Sequence, residues 1–381
     1  MRKLIFLFIV VFSFQQITAQ ISYKNFESQI LGESRQLKIQ LPRGYDKSDK
    51  SYPIIFTFDG DYLFELAAGT VDYYAYWDDI PECIVVGVNQ FGKRDDDTAF
   101  SELNSLPIEK GEAFFNFVGQ ELVPYINKTY RTEKFKVAIG HDKTANFINY
   151  FLLKEDPLFQ AYIVLSPDLA PDMESFLSDQ LSAIESKLFY YLATSSNDIK
   201  SLKEKTEALQ VKLAAIDNKN VLKAYDNFDG PSHYSLPAYA LPKALESIFL
   251  VFQPISKEEY QNTLLKLESS PVDYLTEKYE TIEELFGIKK QISINDFRAI
   301  AATINKTEQF DYFEDLGKLA RKQYPETLLG HYYLGRYYET TGRPKKAMKT
   351  YQSGYVLQEV GGITKDQMLE LSQQLKVDFG L

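Results

Sequence analysis

Residues 135–145 read Phe135-Lys136-Val137-Ala138-Ile139-Gly140-His141-Asp142-Lys143-Thr144-Ala145. An apolar run ends at Gly140, and a helical pattern follows within a few residues. A strand that enters a helix through so short a turn lifts the residue at its apex to the sheet's edge. Gly-x-Ser-x-Gly is the usual form in which such a turn presents a nucleophile. Here the apex, position 142, is Asp, and the second Gly position, 144, is Thr. The turn predicts an α/β sheet with its site at the carboxyl ends of the strands.

The pattern extends in both directions from this turn. Short apolar runs at 37–41, 54–58, 84–88, 137–139, 161–165, 188–193 and 221–225 alternate with helical stretches such as 112–125 and 238–252. The later runs are continuous rather than alternating, as in parallel strands covered on both faces. The expected fold is α/β, a doubly wound sheet with an antiparallel start. After Pro254 the strand-like runs stop, and the remainder reads as an all-α tail. Within it, His331 to Tyr338, the turn at Gly342, and Ala347, Tyr351 and Gly354 fit one tetratricopeptide-like repeat. Ala320 and Pro325 fit a divergent one before it. Tyr338, Ala347 and Tyr351 are expected to be buried between its helices. The bland alternative is an ordinary helical hairpin packed on the first domain. The expected organisation is a leader at 1–19, an α/β domain at 20–254 and a helical domain at 255–381.

Arg2 and Lys3 precede an apolar run, 4–12, and Ile17-Thr18-Ala19 closes the segment. That is the pattern of a cleavable secretory signal, and the run is too short to span a bilayer. The expected location is periplasmic or secreted, with no transmembrane segment after cleavage. Cleavage would take the formal charge from −11 to −13, because the leader holds Arg2 and Lys3 and no acid. Such a balance speaks against nucleic acid and anionic membrane surfaces. Cys83 is the one cysteine, so no internal disulfide forms. The three histidines, His141, His233 and His331, have no ligand spacing, so neither metal nor cofactor is expected.

Further landmarks carry a resemblance. They are Leu41-Pro42-x-Gly44-Tyr45, Tyr52-Pro53-Ile54-Ile55, Phe58-Asp59-Gly60-Asp61, Val85-Val86-Gly87-Val88, Gly140-His141, Asp229-Gly230-Pro231-Ser232-His233 and Leu245-x-x-Ile248-Phe249. Together they resemble the esterase family of α/β-hydrolases that includes esterase D and enterochelin-esterase-like enzymes. The tail resembles the extension on secreted members. The resemblance implies ester or thioester hydrolysis by a Ser-His-acid triad. Carried over residue by residue, it makes His233 the base and Asp198 the acid, with Asn197 and Asp226 close enough to be mistaken for it. Backbone N–H groups of Lys143 and of the turn at Asp61 and Tyr62 would form the oxyanion hole. The nucleophile position falls on Asp142.

Three readings of Asp142 stand. In the first the triad is dead: carboxylate attack on an ester gives an anhydride, and the carboxylate repels a developing oxyanion. Lys143 would pair with it. In the second, Gly140-His141-Asp142 copies the Gly-His-Asp string of haloalkane dehalogenases and epoxide hydrolases, where Asp attacks carbon and a His-activated water releases the product. Trp77 is the one tryptophan available there for a halide. In the third, Ser166 or Ser232 supplies the nucleophile. The aromatics Tyr73, Tyr74, Tyr76 and Trp77 line a ligand pocket or form the core and rim of a lid. Two classes of function follow: a secreted hydrolase, or a binding protein on the same fold. Its partner would be an ester-like small molecule, or a protein held by the tail. Asp142 and His233 are expected to face each other across one cleft.

Overall fold

The computed structural model describes residues 20–381; the leader lies outside them. Eight strands form one sheet: β1 (Ile21–Ser28), β2 (Glu33–Gln40), β3 (Tyr52–Thr57), β4 (Ile84–Val88), β5 (Thr132–His141), β6 (Ala161–Leu165), β7 (Leu188–Asn197) and β8 (Val221–Ser232). Their spatial order is β1-β2-β4-β3-β5-β6-β7-β8. β1 and β2 pair antiparallel, β2 meets β4 antiparallel, and the pairs from β4 to β8 are parallel. Every residue of β3, β4 and β6 is buried, which is why those strands read as unbroken apolar runs. β1 carries ISYKNFES at the sheet's edge, with only Ser28 buried, and gave no apolar run to find.

Two strands run further than their apolar cores suggested. The stretch 194–197 continues the strand beyond the apolar run 188–193, because β7 stays paired with β8 to Asn197 and Ser232 through a register shift after Ser195. Such a bulge re-aims the side chains beyond it, and Asp198 and His233 are the next residues on the two strands. The helical stretch 112–125 also differs. It is a helix, Glu109–Phe117, a π turn, Val118–Leu122, and a second helix, Val123–Thr129. The turn presents Glu121, whose carboxylate accepts from the N–H groups of Gln29 (2.9 Å) and Ile30 (3.2 Å) and from the Ser28 hydroxyl, capping the β1–β2 hairpin.

Helices α1 (Phe64–Tyr76), α2 (Lys143–Leu152) and α3 (Leu236–Ile248) flank the sheet. The tail follows as α4 (Pro271–Phe286), α5 (Ile294–Thr307), α6 (Tyr312–Gln323), α7 (Leu329–Thr340), α8 (Pro344–Ser353) and α9 (Lys365–Phe379). It docks through rings. Phe286 of α4 lies 4.9 Å from Phe135 and 5.1 Å from Phe249, centroid to centroid. One apolar cluster therefore runs unbroken from Ile55 and Phe135 under the sheet to Tyr351 and Leu375. Further out, α7 and α8 meet at Gly335, where a Cβ would stand 2.0 Å from the Tyr351 ring. Ala320, Ala347 and Tyr351 are buried. Tyr338, expected to be buried, is half-buried. Tyr337 is the more buried of the two, and Arg343 lies over both rings at 4.5 and 5.1 Å.

Candidate active site

The turn after β5 has the backbone of a nucleophile elbow. Asp142 sits at φ 59°, ψ −119°, a region that non-glycine residues occupy only under strain. Its N–H donates to the Leu165 carbonyl (3.0 Å), and its carbonyl accepts from Ala145 (3.1 Å) and Asp168 (3.1 Å). Gly140 is required just before it, because a Cβ there would meet the Thr144 carbonyl oxygen at 2.5 Å. Thr144, in place of the second glycine, turns inward. Its hydroxyl donates to Asp59 Oδ2 (2.7 Å) and accepts from the His141 N–H (3.0 Å).

Asp142's partner is one the sequence reading passed over. Arg94 follows β4 and donates from Nη1 to Asp142 Oδ2 at 3.0 Å. The same guanidinium grips Asp59 with Nε (2.7 Å) and Nη2 (3.0 Å) and reaches the His141 carbonyl (2.9 Å). Lys143, expected to pair with Asp142, pairs with Asp95 instead (2.7 Å). Asp59 is 0% exposed. Burial raises its carboxyl above the ordinary range, against the opposing pull of Arg94, Thr144 and Tyr62. The only signal for Arg94 in the sequence was a cation opening the acidic run 94–97 straight after a strand.

On the other side, at the ends of β6, β7 and β8, His233 Nδ1 lies 2.8 Å from Asp198 Oδ1 and 3.1 Å from Ser166 Oγ. Burial alone would raise the Asp198 carboxyl. Hydrogen bonds from His233, Ser166 and Thr194 overrule it and lower it to about 2. Ser166 is itself strained, at φ 44°, and 0% exposed. The other carboxylate considered as the acid, Asp226, is taken by the Tyr191 hydroxyl (2.6 Å), and Asn197 donates to the Gly230 carbonyl (2.9 Å).

His141 joins the two sides. Its Nε2 is 3.2 Å from the His233 carbonyl and its Nδ1 3.0 Å from the Tyr62 hydroxyl. A carbonyl only accepts, so Nε2 carries the proton, and the single Tyr62 hydroxyl proton is shared between Nδ1 and Asp59 Oδ2 (3.1 Å). Burial pushes the His141 pKa down to about 3, with His233 and Arg94 adding to the shift. The two imidazoles lie 4.4 Å apart. Asp142 thus stands at the end of β5 and His233 at the end of β8, with His141 reaching between them. No hydrogen bond or ion pair joins them among the described residues; Arg94 holds one oxygen of the carboxylate and Asp198 holds the imidazole.

The expected oxyanion donors divide. The Tyr62 N–H is committed to the Asp59 carbonyl (3.1 Å), which removes it from the set. Lys143 opens α2, where backbone N–H groups have no intrahelical partner. It and Asp61 remain the candidates. Tyr73 and Tyr76 are exposed on α1, and Trp77 is exposed just after it. Tyr76 lines a groove of about 220 Å³ with Gln20, Arg43 and Cys83, not with Asp142 or His233. Among the described residues no cluster of three or more His, Cys, Asp or Glu is placed to hold a metal ion. No described helix is long and apolar enough to cross a membrane.

The chain is similar over 94% of its length, tail included, to all of an uncharacterised protein from Capnocytophaga ochracea, at 30% identity and TM-score 0.84. It is similar over 79% of its length to 99% of an IroE-like serine hydrolase from Shewanella oneidensis, at 21% identity and TM-score 0.58. It is similar over 61% of its length to 95% of the BES protein from Bacillus cereus, at 22% and 0.54. The last two support the fold alone. No curated protein matches. Residues 28–230, more than half of the chain, match the family described as "Putative esterase", and the chain belongs to that esterase family of α/β-hydrolase fold.

Proposed function

We propose that this is an exported esterase-family protein whose triad is degenerate, and that its cleft binds an ester-like small molecule without cleaving it. The observation that carries this reading is the Arg94–Asp142 pair. A carboxylate at the elbow is a poor substitute for an alkoxide: its acyl product is an anhydride, and its charge opposes an oxyanion. Pairing with a guanidinium lowers its nucleophilicity further, and the base on His233 does not touch it. Ser166 does not rescue the triad. It is sealed from solvent and sits on the Asp198 side of the imidazole, away from the face a nucleophile needs. Ser232 bonds to Ser235 instead.

The test is hydrolysis of p-nitrophenyl esters by the purified protein. Wild type is expected to stay near background, and Asp142→Ser to gain weak activity, since the rest of the cleft is in place. Robust wild-type turnover that survives Asp142→Ala would sink the proposal.

A second reading, Asp142 as the nucleophile for an epoxide or haloalkane, is favoured by one observation: His233 and Asp198 remain paired as a water-activating couple. Single turnover in ¹⁸O water would place label in the Asp142 carboxylate if it holds. Trp77 gives it no support, being exposed just after α1. Export is checked by the N-terminus of the secreted chain, expected at Gln20. Binding of a protein partner by the tail rests on its similarity to repeat-bearing extensions.

A further inference from the structure

Two hydrogen-bond acceptors in the cleft are left over. Asp142 Oδ2 is taken by Arg94, but Oδ1 has no partner among the described residues. His233 is 5% exposed and Nδ1 is held by Asp198, while Nε2 has no partner and is not among the sealed, unpartnered polar atoms. With the Nδ1 proton directed to Asp198, Nε2 is a lone-pair acceptor. The one cation in contact with this floor, Arg94, spends four of its five donors on Asp59, Asp142 and the His141 carbonyl.

The electrostatics have the same sense. Asp59, Asp61, Asp142 and Asp198 face this cleft or brace it, against Arg94 and against Lys38, which reaches the Asp61 carbonyl but is paired with Glu65. The neighbouring lysines do not change the balance, because Lys143 pairs with Asp95 and Lys205 with Asp168. Beside His233 stands an aromatic ring turned to solvent: Tyr234 is 85% exposed, with its ring centroid 5.2 Å from that of His233. Unpaired acceptors with an exposed aromatic face beside them are the elements that recognise an organic cation.

We propose that the cleft takes a primary ammonium group. Its N–H donors reach Asp142 Oδ1 and His233 Nε2, its charge sits against the carboxylates, and Tyr234 covers its apolar stem. This rests on the reading that the site binds and does not cleave. It also gives the substitution at 142 a positive role: a serine there would offer no counter-charge.

The probes are benzylammonium, its neutral isostere benzyl alcohol and the anion benzoate, titrated into the full secreted chain by calorimetry at low and high salt. Benzylammonium is expected to bind at least about tenfold more tightly than the alcohol, as a charge-assisted hydrogen bond implies. Benzoate is expected to bind weakest, and salt to narrow the gap. Asp142→Asn, the same shape without the charge, is expected to remove the preference. Should that variant fail to fold, Tyr234→Ala carries the test, since an exposed ring can be removed without touching the core. It is expected to weaken benzylammonium by about threefold. Equal binding of amine and alcohol, a preference for benzoate, or an ammonium affinity indifferent to both variants would overturn the assignment. A preference for benzoate without ester hydrolysis removes only the ammonium; ester turnover removes the binding reading beneath it.

Discussion

The two sides of this cleft have been treated differently. At the ends of β6, β7 and β8, Ser166, Asp198 and His233 form a hydroxyl, carboxylate and imidazole set with one nitrogen left open. At the ends of β3, β4 and β5, Asp59, Arg94 and Asp142 form an ion cluster whose guanidinium bridges both carboxylates, with Thr144 closing on Asp59. The first side is equipped to act on something outside the protein; the second is occupied with itself except for Asp142 Oδ1. Asp142 is therefore not a blemish in an otherwise active site. It is half of an ion pair, and the buried Asp59 binds that pair to the fold.

The widest test of the contrast is Arg94→Ala. It leaves Asp59 fully buried without its counter-ion and Asp142 without its partner. Removing one member of a buried pair costs about 3–5 kcal/mol, to be read from urea unfolding. His233→Ala should cost less, because Asp198 keeps the hydroxyls of Ser166 and Thr194. If the histidine variant proves the more damaging, the occupied side is not the structural one.

The pH dependence separates the sides next. Burial holds the His141 pKa at about 3, below its ordinary 6.5, so the folded state favours the neutral ring. Stability from this source is complete above 6.5 and is lost as pH falls from there toward 3. Asp198 is lowered from 3.8 to about 2, so its contribution persists down to 3.8 and is lost between those two values. Asp59 acts in the opposite sense, since burial raises it and protonation relieves it. Urea midpoints measured from pH 7 to 4 should decline in the wild type and stay flatter in His141→Asn. Matching slopes would show that His141 is not the group that titrates.

Much of the first side was legible in the sequence, and most of the second was not. His233 could be placed because Asp-Gly-Pro-Ser-His follows an apolar run, and Asp198 because it follows another. In each case a strand end fixes the residue's height above the sheet. Arg94 had no such anchor. It lies in a charged loop after β4, and its meaning comes from two carboxylates 35 and 48 positions away. For the same reason Lys143 looked like the natural partner of Asp142. Adjacent residues at the start of a helix point apart, so Lys143 reached Asp95. The alternation of runs gave seven of the eight strands, and β1 was missed because an edge strand facing water needs no apolar core. The rings joining the tail to the sheet were invisible too. Phe135 and Phe286 are far apart in sequence, and each reads as an ordinary core residue.

The smallest effect is expected from Ser166→Ala. Ser166 was weighed as a nucleophile and stands as a brace, with its hydroxyl donating to Asp198 beside the His233 nitrogen. Losing one such hydrogen bond costs about 1 kcal/mol, and the hole left by an oxygen atom is small. The informative readout is the Asp198 carboxyl, followed by ¹³C NMR across an acid titration. Without the Ser166 donor its pKa should rise from about 2 toward 3.8, since burial raises it and fewer hydrogen bonds oppose that. The Arg94–Asp142 side should not respond, because none of its bonds involves Ser166. If Ser166→Ala instead loosens Asp142 as strongly as it shifts Asp198, the two sides form one network, and the division between an open half and an occupied half fails.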